Sequence, residues 1–197
     1  MSRRALLVVA NPSGTSFSHA MASAAGDVLR SREYELMRHD LYAEQFDPVQ
    51  PTGEAENTRS SDPLIELHCR DLVEASLILV FHPNWWGQPP AILKGWIDRV
   101  FRPGVAYDYP SGVGPEGAAI GLLRAKAAMV FNTSNTPKER EASVFGDPLE
   151  TLWNRCIFAL CGVTRFERRT FGPVASSTAA QRDAWLSEVR SVVSGHA

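Results

Sequence analysis

The residues best suited to chemistry in this chain fall in three short segments. In His82-Pro83-Asn84-Trp85-Trp86-Gly87-Gln88-Pro89-Pro90, two adjacent indoles stand in a turn stiffened by prolines, and Gly87 lets a flat group approach the backbone. That is a cradle for a planar ring. The segment Asn11-Pro-Ser-Gly-Thr15-Ser16-Phe17-Ser18 is rich in hydroxyls and runs into an expected helix start, where unpaired N–H groups and the helix dipole favour a phosphate. Thr15, Ser16 and Ser18 add side-chain donors. The segment has neither G-x-G-x-x-G nor a Walker lysine, so the dinucleotide fingerprint and the triphosphate loop are both absent. A third segment, Asn132-Thr133-Ser134-Asn135, offers donors for the polar edge of a heterocycle. Phosphate at one loop and a flat ring between the other two describe a flavin. Each segment also has a bland reading: the indoles as neighbouring core aromatics, the serines and threonine as structural helix caps.

Positioning these segments together requires an ordered scaffold, and the hydropathy pattern supplies one. Apolar runs predict strands at Ala5–Ala10, Tyr34–His39, Leu77–Phe81 and Ala127–Phe131, with a fifth at Val163–Arg169. Between them, helices are expected from Ser18 to Leu29, from the Asp62-Pro63 cap to Glu74 and from Pro90 to Phe101. Two more are expected at Leu149–Leu160, ending before Gly162, and from the Ser177-Thr178 cap to Val193. This alternation predicts one α/β domain over residues 1–197, a doubly wound, right-handed parallel sheet of five strands flanked by helices. All three segments then leave the carboxyl ends of strands, where open α/β sheets bind ligands. Connections at 41–61 and 102–124 exceed ordinary loop lengths, a mark of function.

A formal charge of −2, with no basic run, argues against nucleic acid as a partner. The apolar run at Ala5–Ala10 is too short for a signal peptide and nothing approaches membrane-spanning length, so no stable membrane insertion is expected. Cys69, Cys156 and Cys161 lack metal-ligand spacing and read as reduced structural thiols, which points to the cytoplasm. His19, His39, His68, His82 and His196 form no metal-spaced set, and no metal is expected. His82 reads as a packing or orienting residue, and Asp98 and Arg99 as helix-surface or interface charges.

Longer blocks carry a resemblance. They are Ala5-Leu-Leu-Val-Val-Ala10 with Thr15-Ser-Phe-Ser-His-Ala-Met21, Asp40-Leu-Tyr-Ala-x-x-Phe-Asp-Pro48, Pro90-Ala-Ile-Leu-Lys-Gly-Trp-Ile-Asp-Arg-Val-Phe101 and Ala106-Tyr-Asp-Tyr109, extended by Gly121-Leu-Leu-x-x-Lys126 and Cys161-Gly162. In these the chain resembles the NAD(P)H:quinone oxidoreductases of the flavodoxin-like superfamily, the group that includes DT-diaphorase, bacterial drug-activity modulators and potassium-efflux ancillary proteins. The resemblance implies a flavodoxin-like sheet of order 2-1-3-4-5, a noncovalent flavin and a homodimer with active sites at the subunit interface. It places the flavin phosphate on Ser16, Phe17 and Ser18, the isoalloxazine beside Pro83, Asn84, Trp85, Trp86 and Gly87, and its pyrimidine edge against Thr133, Ser134 and Asn135. Tyr107 and Tyr109 would line the partner's substrate pocket.

By the same resemblance NAD(P)H gives a hydride to flavin N5, departs and is replaced by a quinone or related electrophilic aromatic, a two-electron ping-pong sequence. The shorter bacterial members favour FMN over FAD. The chain departs from the family pattern where two glycines, a tyrosine and a histidine usually stand: Ser134 and Asn135 replace the glycines, Phe145 takes the histidine position, and the tyrosine position falls near Glu139-Arg140. Arg140 or Lys138 could neutralise the reduced flavin, although Pro137-Lys-Glu-Arg-Glu141 also reads as a solvated loop. An azo, nitro or flavin reductase, or a regulatory flavoprotein sensing redox state on a membrane transporter or other partner, are the alternative functions.

Overall fold

The computed structural model describes residues 3–54, 59–110 and 116–197. Strand β1 (Arg3–Val9) leads through α1 (Phe17–Ser31) to β2 (Tyr34–Asp40), and α2 (Pro63–Glu74) leads to β3 (Leu77–Pro83). After α3 (Ala91–Val100), a short ribbon of β4 (Tyr107–Asp108) and β5 (Ile120–Gly121) precedes β6 (Ala127–Thr133). Helix α4 (Lys138–Phe145), α5 (Pro148–Glu150) winding on into a π-helical stretch at Thr151–Phe158, β7 (Arg165–Phe171) and α6 (Ala179–His196) complete the chain. The main sheet is parallel throughout, in the order β2-β1-β3-β6-β7. With the ribbon strands set aside this is the 2-1-3-4-5 order of a flavodoxin-like fold.

Strands β3 and β6 are buried along their whole length because helices cover both faces of the sheet. On one face Leu6, Val8, Ile78, Val80, Ala128 and Val130 meet Leu93, Trp96, Trp153 and Phe158. On the other, Leu7, Val9, Leu79, Phe81, Met129 and Phe131 meet Met21, Ala25 and Leu29 of α1 and Val189 and Val193 of α6. Capping follows the sequence pattern: Asp62 accepts from the Leu64 N–H at 2.9 Å, and Thr178 forms a capping box with Gln181.

The structure corrects several expectations. Residues 138–145 form a helix, not a solvated loop. The helix expected over 149–160 is largely π-wound, and the long 102–124 connection holds the β4–β5 ribbon. That ribbon is pinned by Gly121, where a Cβ would sit 2.2 Å from the Cys161 carbonyl carbon and the Gly162 nitrogen. Arg99 is not a surface charge: it is 2% exposed, and its Nε and Nη2 donate to Glu54 Oε1 and Oε2, both at 2.8 Å, while Nη1 donates to the Asp47 carbonyl at 2.7 Å. It ties α3 to the 41–61 connection. Asp98 is the surface partner of Lys94.

Candidate active site

Three carboxyl-end loops surround a cleft of about 830 Å³. Of the residues predicted from the sequence, the fold brings Ser16, Phe17, Pro83, Asn84, Trp85, Trp86, Gly87, Thr133, Ser134, Asn135 and Phe145 to its lining. Thr15 is exposed, with its hydroxyl 3.2 Å from Ser13 Oγ, and does not line the cleft. Ser18 is fully buried, held by Asn11 Nδ2 at 3.3 Å, so its hydroxyl faces the protein and only its backbone N–H faces the helix terminus. Tyr107 and Tyr109 stack edge to face at 5.9 Å on the ribbon and lie outside this cleft. Burial raises the Tyr107 phenol above its ordinary value, with a further push from Tyr109.

The donors that remain available define what the cleft can hold. Ser16 is the N-cap of α1, which leaves the Phe17 and Ser18 N–H groups at the open end of a fifteen-residue helix. The Ser134 N–H is already given to Phe171 O at 2.9 Å, and Ser134 Oγ accepts from the Thr136 N–H at 3.0 Å, leaving the hydroxyl proton to turn outward. Asn135 Oδ1 accepts from the Ala175 N–H at 2.9 Å, which fixes its carboxamide with the NH2 toward solvent. Asn84 is fixed the same way, Oδ1 accepting from the Gly87 N–H at 3.0 Å. Donors at two ends of an apolar-walled cleft suit an anion at one and heterocycle carbonyls at the other.

The indole loop is a tight hairpin in which Trp85 and Gln88 exchange backbone hydrogen bonds at 3.0 Å. Its corner holds Trp86 at φ 58° and Gly87 at φ 71°, and a Cβ on Gly87 would come within 2.7 Å of Pro148 Cγ. The core-aromatic reading of the indoles fails, since Trp85 is 44% and Trp86 101% exposed. His82 lies beneath the loop. Trp153 Nε1–H donates to His82 Nε2 at 3.1 Å, so the ring proton sits on Nδ1 and meets the Pro83 carbonyl at 2.8 Å. Burial pushes His82 down to about 4, against the opposing Pro83 carbonyl and with repulsion from Arg168. It is a neutral orienting residue.

Sequence reasoning missed two buried charges. Glu141 lines the cleft from α4 with Oε1 buried and no hydrogen-bond partner for that atom among the described residues. Arg168 sits under the floor, bonded to Asn132 Oδ1 and Glu150 Oε2, each at 3.0 Å, and paired with Asp147. The signal for Arg168 was its register opposite Val130, two residues from the Asn132–Thr170 pair that its side chain reaches, visible only once the strands are paired. Arg140 instead lies 5.9 Å over the Phe145 ring.

Away from the cleft, folding brings His39, Glu44 and His68 together in a way that spacing did not reveal. Trp96 Nε1–H donates to His68 Nδ1 at 2.9 Å, which puts the His68 proton on Nε2, facing Glu44 Oε2 at 3.2 Å. His39 meets Glu44 at 2.9 Å and Asp71 at 3.0 Å. Both His39 nitrogens are engaged by carboxylates, whereas His68 Nε2 and Glu44 Oε2 are buried and have no hydrogen-bond partner among the described residues.

Residues 3–193 match a family model described as a flavodoxin-like fold. An uncharacterized NAD(P)H oxidoreductase of Haemophilus influenzae is 30% identical over 178 residues, which is 86% of this chain and 83% of that protein. NAD(P)H dehydrogenase [quinone] 1 of Rattus norvegicus is 35% identical over 126 residues, covering 54% of this chain and 46% of that enzyme. Among solved structures, Smu.1420 of Streptococcus mutans superposes with a TM-score of 0.82 at 27% identity, covering 98% of this chain and 99% of that one.

Proposed function

Since this chain belongs to the flavodoxin-like family of NAD(P)H:quinone oxidoreductases, we propose that its cleft holds a flavin, FMN, and passes electrons from NAD(P)H to quinones or related electrophilic aromatics. The observation that carries this reading is the joining of a helix N-terminus, an indole-lined wall and the Ser134 and Asn135 donors in a single cleft. The residues fit the group. The Phe17 and Ser18 N–H groups and Ser16 would hold its phosphate, Pro83 to Gly87 would flank the ring, and Thr133 to Asn135 would face its pyrimidine edge. When bound, the flavin supplies two-electron hydride chemistry at N5, reached in turn by donor and acceptor in a ping-pong sequence.

The protein's own part is positioning and charge stabilisation. Ser134 and Asn135, in orientations fixed in advance by Thr136 and Ala175, would aim donors at the ring edge where negative charge grows on reduction. His82 holds the strand end beneath the indole loop through Pro83 and Trp153 and, being neutral, would move no proton. With Phe145 at the usual histidine position, protons for the acceptor come from water. Trp86 and Phe145 are exposed beside the cleft and are proposed to be covered in a homodimer whose partner contributes Tyr107 and Tyr109. Among the described residues no helix is long and apolar enough to cross a membrane.

The test is the absorbance spectrum of purified protein, with released flavin identified by chromatography, followed by turnover with NAD(P)H and a simple quinone. A flavin spectrum with quinone turnover is expected, and Ser16→Asp, which sets a carboxylate against the phosphate, should lose flavin by several kcal/mol, of the order of poorly screened like charges. Flavin content unchanged in Ser16→Asp would remove the phosphate from this loop.

A further inference from the structure

Behind the helix N-terminus, Ser16 is joined to two residues, His19 and Asp40, that the proposed function does not use. Ser16 Oγ is 2.8 Å from His19 Nδ1, and His19 Nε2 is 2.7 Å from Asp40 Oδ2. Asp40 is fixed in turn by the Ala43 N–H, which donates to Oδ1 at 3.2 Å. His19 is buried on the first turn of α1, Asp40 closes β2, and Ser16 lines the cleft. Among the described residues Asp40 is the charged group in contact with His19, and the N–H groups of the α1 terminus are the other polar field on that side.

The protonation of His19 decides which way the Ser16 hydroxyl points. With one ring proton, held on Nε2 by Asp40, His19 Nδ1 is a lone pair that accepts the Ser16 O–H. Ser16 then shows the cleft only oxygen lone pairs, which repel an anion. With both ring nitrogens protonated, Nδ1–H donates to Ser16 Oγ and the hydroxyl proton turns into the cleft. Asp40 holds the imidazolium charge.

We propose that His19, held by Asp40, is a positioning residue that couples binding of the flavin phosphate to uptake of one proton, acting through Ser16. This rests on the flavin reading of the cleft. The balance is simple: a proton from solvent adds to His19 Nδ1 as a dianionic phosphate enters, and no bond to phosphorus forms or breaks. Above the second phosphate pKa of about 6 the ligand does not bring that proton itself. Flavin affinity should therefore weaken with rising pH by up to about tenfold per unit, the limit for one linked proton.

Calorimetric titration of the flavin-stripped full chain with FMN at pH 7.5, repeated in buffers of different ionisation enthalpy, counts the protons. Net uptake is expected with FMN and none with riboflavin, which lacks the phosphate. His19→Asn, and Asp40→Asn, which keeps an acceptor for Nε2–H but removes the charge, should both flatten the pH dependence of FMN affinity. FMN binding by the wild-type chain without proton uptake, or equal uptake with riboflavin, overturns the proposal, and neither result depends on a variant folding. An unaltered pH slope in a folded His19→Asn protein does the same. Binding of neither FMN nor FAD would overturn the flavin reading itself, and this proposal with it.

Discussion

At the residue scale, the buried histidines on either side of β1 make opposite demands on pH. His82 is pushed down to about 4 from 6.5, so as pH falls below 6.5 the unfolded chain takes a proton that the folded chain refuses. Stability should fall between pH 6.5 and 4 by on the order of 3 kcal/mol, since each tenfold difference in proton affinity between the two states is worth about 1.4 kcal/mol. His39 has the reverse sign. Burial lowers it, but Glu44 and Asp71 together outweigh burial and raise it, so its contribution is fully present below 6.5 and is lost as pH rises through the folded value. Glu44, which burial raises but its two histidine partners bring down to about 2, adds stability that is present above 4.5 and fades as pH falls toward 2. Urea unfolding at pH 5 and 7.5 separates these groups. His82→Gln should cost about 1–2 kcal/mol at pH 7.5 through lost hydrogen bonds, and less at pH 5, because the variant no longer loses stability to protonation at this position. A deficit that is larger at pH 5 would show that His82 is not held neutral. His39→Asn should lose more at pH 6 than at pH 8.

At the element scale, the Arg99–Glu54 pair is the clearest case of a charge that holds two elements in place. Both side chains are nearly enclosed, at 2% and 5% exposure, so removing one strands the other in a poorly solvated site. Arg99→Met should destabilise by about 3–5 kcal/mol, and Arg99→Met with Glu54→Leu should recover much of that loss. Equal instability of the single and double variants in urea would show that the pair's charge is not the cause. This residue also shows how far the sequence could be read. Strands β1, β3 and β6 were legible because a run buried on both faces is continuous in hydropathy, and α2 because Asp62-Pro63 marks its start. Arg99 was misread because α3 is amphipathic against the sheet alone; the third surface, the 41–61 connection, has no periodic signal. Helix α4 was missed for a related reason: its charged residues hide the single buried position, Glu141, which only the folded cleft reveals. The site loops were identified while their details were not. Residue types announced Ser16, Trp86 and Asn135, but whether the Ser18 hydroxyl faces inward depends on Asn11 across the loop.

At the scale of the whole molecule, Trp86 is the residue that an isolated chain does not explain. It holds φ 58°, a left-handed conformation that costs a side-chain-bearing residue about 1–2 kcal/mol, and its indole is entirely in solvent. The two-residue hairpin demands that conformation of whatever stands at its corner, so what the isolated chain leaves unexplained is a bare indole there in place of the usual asparagine or glycine. A twofold dimer would cover the ring, and because a twofold interface uses each patch twice, any change at Trp86 acts twice per dimer. Trp86→Gly therefore separates the two energies. It removes the backbone strain, so the subunit itself should be as stable as wild type or more stable by up to about 1 kcal/mol. It also removes an aromatic anchor from each half of the interface, and anchors of this kind contribute about 2 kcal/mol or more apiece. Taken twice, that loss weakens the dimer by roughly 10³-fold, at about 1.4 kcal/mol per factor of ten. Sedimentation velocity across a micromolar concentration series, read beside thermal unfolding, should show wild type as a dimer and the variant dissociating without loss of fold. Tyr107→Ala and Tyr109→Ala, whose side chains lie outside their own cleft, should then lower quinone turnover in the dimer while leaving flavin content intact. A wild-type chain that sediments as a monomer at full activity would leave Trp86 to the flavin alone, and the tyrosines without a partner cleft to serve.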